Sequence, residues 1–241
     1  MNRYWLIAIS VATLLGGWSA PAHAIDELWE RSIKAVKGQK IYVPGVATYQ
    51  EKVVDKEGKV AEVTEARFEI ENSGAKVRAH LLKCTVDGED VTQEAREDLE
   101  REANVELEEF DFEMPYCSDD PLSNAVGIQE DLKMINGVEC RGYDFIYREE
   151  DHDFKGIVWI DPTSALPLEI SSIMTSVPFK EDGVQVMSLN RTTHYIVENG
   201  VWKIKNESED VWVKVRVLFK NVLAVIQTQT DYSNHWILNA S

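Results

Sequence analysis

The side chains that do covalent or metal chemistry are few and scattered in this chain. Beyond residue 24 the histidines are His80, His152, His194 and His235, each alone in the sequence. Asp151-His152-Asp153 has the residue types of a metal cluster. Adjacent residues at the end of a strand point in different directions, however, so the triplet reads as a solvated turn. Asp87-Gly88-Glu89-Asp90 lacks the ligand spacing of a calcium-binding loop. There is no Gly-x-Ser-x-Gly, no His-Glu-x-x-His, no phosphate-binding glycine loop and no dinucleotide fingerprint. With 42 acidic residues, chance carboxylate pairs are unavoidable and specify no hydrolase. The expectation is a protein without catalytic residues, metal or cofactor.

Cys84, Cys117 and Cys140 are the remaining reactive groups. No Cys-x-x-Cys occurs, which argues against a redox enzyme or a zinc ribbon. The N-terminus bears on their state. Arg3 is the only charge among residues 1–24, an apolar run follows from Tyr4 to Leu15, and Ala22-His23-Ala24 has the small residues of a cleavage site. This reads as a secretory signal peptide cut after Ala24, too short in its apolar core to be a membrane span. The mature chain, 25–241, is then a single periplasmic domain. In an oxidising compartment three cysteines predict one bridge and one buried thiol. Cys117–Cys140 is the favoured pair, because Cys117 lies in an irregular acidic loop; no bridge at all is the alternative. Asn190-Arg191-Thr192 and Asn206-Glu207-Ser208 match the glycosylation pattern but carry no weight behind a bacterial-type leader. The formal charge of −17 excludes nucleic acid and anionic lipid surfaces as partners, since phosphates need Lys and Arg.

The elements that must position any site are mostly strands. Ile25 to Lys37 has helical spacing in Leu28, Trp29, Ile33 and Val36, and Gly38 ends it. Period-two segments follow at 48–55, 60–71 and 75–85, separated by short turns. Thr92 is an N-cap for a charged helix, Gln93 to about Leu107, with a loop to Ala125. Asn136-Gly137 between 127–135 and 138–148 is a hairpin signal. Two strands joined at Asp161 to Ser164 come next, then a looser stretch, 174–190. Strands at 192–197, 201–205, 211–219 and 222–230 complete the set. In 211–217 every odd position is Val, while Trp212, Lys214 and Arg216 face the other way.

Several strands are apolar on both faces, above all Ile157 to Ile160. An antiparallel sheet with one face in water alternates instead. Two helices cannot cover both faces of ten or eleven strands. A curved sheet closing on itself solves this, either lining an apolar cavity or filled by its own side chains.

The order of elements, with Trp159-Ile160-Asp161-Pro162, Leu166-Pro167-Leu168 and the terminal Phe219 and Thr230-Asp231-Tyr232, resembles the bacterial outer-membrane lipoprotein-sorting family (LolA-like). Where that family commonly has Gly, this chain has Ala165. The resemblance implies an α+β fold, mostly antiparallel: a curved, unclosed half-barrel with an N-terminal helix and an inserted helix and loop at about 92–125. It also implies a monomeric carrier that takes a lipid, an acyl chain or a lipidated protein. Candidate cavity residues are Phe145, Tyr147, Trp159, Leu168, Ile170, Trp212 and Phe219. The alternative is an envelope protein-interaction or stress-sensing module with the same fold and a filled interior.

Overall fold

A computed structural model describes residues 26–40, 42–72, 77–102, 125–149, 152–181, 184–217 and 220–237. The expected signal peptide, residues 103–124 with the expected loop and Cys117, and Phe219 lie outside them. In chain order the elements are α1 (Glu27–Lys37), β1 (Tyr42–Val43), β2 (Val46–Asp55), β3 (Val60–Asn72), β4 (Val77–Val86), β5 (Glu89–Asp90) and α2 (Thr92–Glu102). Then come β6 (Ala125–Ile135), β7 (Val138–Glu149), β8 (His152–Ile160), β9 (Pro167–Met174), β10 (Phe179–Glu181), β11 (Val184–Glu198), β12 (Val201–Val217), β13 (Lys220–Ser233) and β14 (Trp236–Ile237).

Twelve strands form one antiparallel sheet in the order β5-β4-β3-β2-β13-β12-β11-β9-β8-β7-β6, with β10 beside β11, while β1 and β14 pair separately. The sheet is curved and unclosed, an open half-barrel. Its turns have local causes. Asn136 and Gly137 take positive φ between β6 and β7, as the hairpin signal requires. Asp161 accepts from the amides of Thr163 and Ser164 and from the Ser164 hydroxyl, closing the β8–β9 connection. Ala165 in that turn has φ of 59°, a left-handed conformation that suits Gly better than Ala.

The structure corrects three boundaries. The looser stretch at 174–190 contains β10 and the first half of a fifteen-residue β11. The two strands expected at 201–205 and 211–219 are one, β12, because the polar residues between them still pair with β11 and β13. Asp26, which the helical pattern from Ile25 places with Glu27 in the first turn, is instead the N-cap of α1, accepting from the amides of Leu28 and Trp29.

Directly paired residues of antiparallel strands share a face, so the register sorts side chains across the whole sheet. One row runs Ile128, Tyr143, Val158, Ile170, Thr193, Glu207, Thr230, Tyr49, Ala66, Cys84. Both helices cover this face, at opposite ends. α1 lays Leu28 and Trp29 on Tyr143, Phe145, Val158 and Ile160, all in one buried cluster. α2 lays Ala95 against the cluster of Ala66, Leu81 and Cys84.

The doubly apolar run at 157–160 follows from this sorting. Val158 and Ile160 are fully buried on the α1 side. Trp159 belongs to a second, smaller cluster on the opposite face with Ile135, Cys140 and Leu168.

Candidate functional site

The seven residues expected to line a cavity do not meet in one place. Phe145, Tyr147 and Ile170 lie in the main core under α1. There the rings of Phe145, Tyr147 and Phe154 stack in series, with centroids 5.8 and 4.8 Å apart. Phe145, Val158 and Ile160 have no exposed surface beneath the helix. Trp159 and Leu168 lie on the other face. The cause for Leu168 is a bulge: Trp159 pairs with Glu169 and Ile160 with Pro167, leaving Leu168 as the extra residue. Trp212 pairs with Ser188 and Val225, out of phase with the helix-side Val211 and Val213, and is 48% exposed. Phe219 is outside the described residues. Cys117, the expected partner of Cys140, lies outside the described residues; Cys140 itself is a buried thiol whose sulfur is 3.6 Å from the Val138 carbonyl oxygen. Burial pushes its pKa up to about 11.

Between the two helices the same face changes character. The central strands β11, β12, β13 and β2 place Thr193, Glu207, Thr230 and Tyr49 in one row, and Arg191, Glu209, Thr228 and Glu51 in the next. These side chains bind one another. Arg191 Nε lies 3.1 Å from Glu209 and 3.6 Å from Glu207. The Tyr49 hydroxyl donates to Glu51 at 2.6 Å, and the Tyr232 hydroxyl to Glu207 at 3.5 Å. Burial first, then the neighbouring carboxylates, raise both phenols far above the ordinary tyrosine value, so they stay neutral donors. The middle of the half-barrel is therefore a polar bed of three carboxylates, one guanidinium, hydroxyls and two phenols.

On the opposite face a second polar cluster surrounds the bulge. Glu169, only 6% exposed, accepts from Lys133 Nζ with both oxygens, at 2.6 and 2.7 Å, and lies 3.7 Å from His194. Lys133 Nζ also stands 5.6 Å from the centre of the Trp159 ring. Further along this face, Thr48, Gln50, Glu65, Arg67, Lys83, Thr85, Gln229 and Asp231 line a shallow groove of about 320 Å³. No group of three metal-ligating side chains occurs among the described residues.

Reasoning from sequence missed the polar bed. Its residues are spread over four strands, and the signal was present only as period-two positions in 46–55 and 206–209 occupied by Tyr and Glu where a cavity would need Val or Leu.

No protein-family model matches the chain, and no curated protein does. Among solved structures, the crystal structure of a DUF1329 family protein from Desulfovibrio piger is similar over 89% of this chain and 93% of that one, with a TM-score of 0.35 and 8% sequence identity.

Proposed function

We propose that this chain is a non-enzymatic recognition module of the exported type, which binds a protein partner on its half-barrel rather than sheltering an acyl chain inside it. The polar bed in the middle of the helix-covered face carries this reading. A hydrocarbon chain laid there gains about 0.8 kcal/mol for each methylene removed from water. It also strips water from Glu207, Glu209 and Arg191, at several kcal/mol per ion. The methylenes of an ordinary acyl chain roughly offset those charges and leave no margin for affinity. The neighbouring apolar end of the face is filled by α1 and the stacked rings of β7 and β8. A polar or protein surface suits the bed, because it can return hydrogen bonds to the carboxylates and phenols.

The test is a titration of the mature chain with a fluorescent long-chain fatty acid, beside native mass spectrometry of chain purified from the periplasm. No saturable uptake and a lipid-free mass are expected. One-to-one uptake of the fatty acid, or a lipid that copurifies with each chain, would overturn the reading.

A further inference from the structure

The two edges of the sheet are treated very differently. At one end β5 is a two-residue strand, Glu89–Asp90, followed almost at once by α2. Short, charged and covered edges do not pair with other chains. At the other end β6 runs for eleven residues, and among the described residues it pairs with β7 alone. Ile128, Leu132 and Met134 stand opposite Tyr143, Arg141 and Glu139, and so share the helix-covered face. They are 41%, 55% and 63% exposed, a row of large apolar side chains along the outermost described strand. In the middle of the strand Gln129, Glu130 and Asp131 face Gly142 alone, a bulge that leaves the two acidic residues exposed. The only cation on β6, Lys133, is directed to the opposite face and is held there by Glu169.

Resting on the recognition reading above, we infer that β6 is the docking edge, and that its occupant is an extended, cationic segment of another protein with apolar side chains at alternate positions. Such a segment adds a strand beside β6 and satisfies the backbone groups of the edge. Its alternate apolar side chains cover Leu132 and Met134. Its Lys and Arg meet the exposed Glu130 and Asp131 of the bulge, in a chain whose formal charge of −17 attracts cations from a distance. The same charge disfavours a second copy of this chain, because pairing β6 with itself sets two acidic bulges and two strongly negative molecules together.

The experiment uses the mature chain and a fluorescent peptide alternating lysine and valine, read by anisotropy, with a glutamate–valine peptide and a backbone N-methylated lysine–valine peptide as controls. Saturable binding of the lysine–valine peptide alone is expected. The double variant Leu132→Arg, Met134→Arg changes only exposed side chains and should keep the wild-type circular dichroism spectrum while weakening binding by about tenfold or more. Glu130→Lys with Asp131→Lys should weaken it too and flatten its salt dependence. Equal affinity for wild type and the Leu132/Met134 variant, equal binding of the N-methylated peptide, or no peptide binding at all overturns the β6 assignment. So does a dimer in light scattering that the same double variant dissolves. The fatty acid titration separates the two failures: uptake there removes the recognition reading itself, whereas no uptake with peptide binding indifferent to the β6 variants removes only this edge.

Discussion

Replacing Asp26 by alanine should release α1 from the sheet, and the cost can be assembled from its contacts. The carboxylate accepts from the amides of Leu28 and Trp29 at 2.8 and 3.2 Å, and from the Tyr143 hydroxyl at 2.8 Å. Arg141 lies 3.1 Å away. Loss of the cap costs about 1 kcal/mol. The Tyr143 bond is charge-assisted, and it leaves a hydroxyl on a fully buried ring without its acceptor, about 1.5–2 kcal/mol more. The arginine side chain is largely exposed and adds little. The sum is about 3 kcal/mol, which in a domain of this size lowers Tm by about 6–12 °C. Asp26→Asn keeps an acceptor at the same place and should lose less. The acid limb separates charge from shape. Burial opposes ionisation of Asp26, but the Tyr143 hydroxyl, the two amides and Arg141 outweigh it and hold the pKa below its ordinary 3.8. A depressed carboxylate stabilises the fold above its unfolded pKa, and that contribution is lost as pH falls below 3.8 through the folded value. Wild type and Asp26→Asn should therefore converge in strong acid. Calorimetry across pH reads both effects. An Asp26→Ala protein that melts with wild type at neutral pH would show that the cap and the Tyr143 bond do not hold α1 in place.

Three further outcomes are expected. Gly156→Ala places a methyl 2.5 Å from the Ser171 carbonyl oxygen and 2.6 Å from the Phe145 ring, so it should cost about 3 kcal/mol or more in a urea melt. Lys133→Met leaves the buried Glu169 carboxylate with only His194, 3.7 Å away, to balance it and should cost about 2–3 kcal/mol; adding Glu169→Leu should recover most of that. His235 has a buried Nε2 without a hydrogen-bond partner, and burial lowers its pKa from 6.5. Its neutral form therefore stabilises the fold above pH 6.5, and that contribution is lost as pH falls below 6.5 towards the folded value. His235→Leu should flatten this part of the stability profile.

Much of the architecture was legible because short-range chemistry dictated it. Asn136-Gly137 and Gly38 each marked a turn or helix end that the fold uses, whereas Thr92, expected as an N-cap, is the first residue of α2 and turns its hydroxyl to the Cys84 amide and carbonyl. Alternation in 211–217 placed Val213 inward and Trp212 outward. The candidate site was far less legible. Leu168 changes face through a bulge against Trp159, and no single-strand pattern reveals a bulge whose partner lies on another strand. Apolar residues at 157–160 were compatible with a cavity or with two separate clusters. The choice depends on α1 covering one face and Lys133 with Trp159 closing the other, contacts between segments far apart in the chain. β12 was divided in two because Asn206 to Asp210 is polar throughout, yet those residues sit in the middle of the sheet, where Arg191 and Tyr232 bind Glu207 and Glu209 on one face and Gln227 binds Asp210 on the other.

The pairing of β2 with β13 has a kinetic consequence. Val46 meets Ser233 and Asp55 meets Ala224, so the strands β5, β4, β3 and β2 join the rest of the sheet through a strand more than 160 residues further along the sequence. Loop closure across nearly the whole chain must precede that contact, which makes such topologies slow to fold. A nascent chain lacking 220–233 holds two unjoined sheets, each with a raw edge. β13 thus acts as a latch between the two halves of the sheet, which stay separate until it pairs with β2 on one side and β12 on the other.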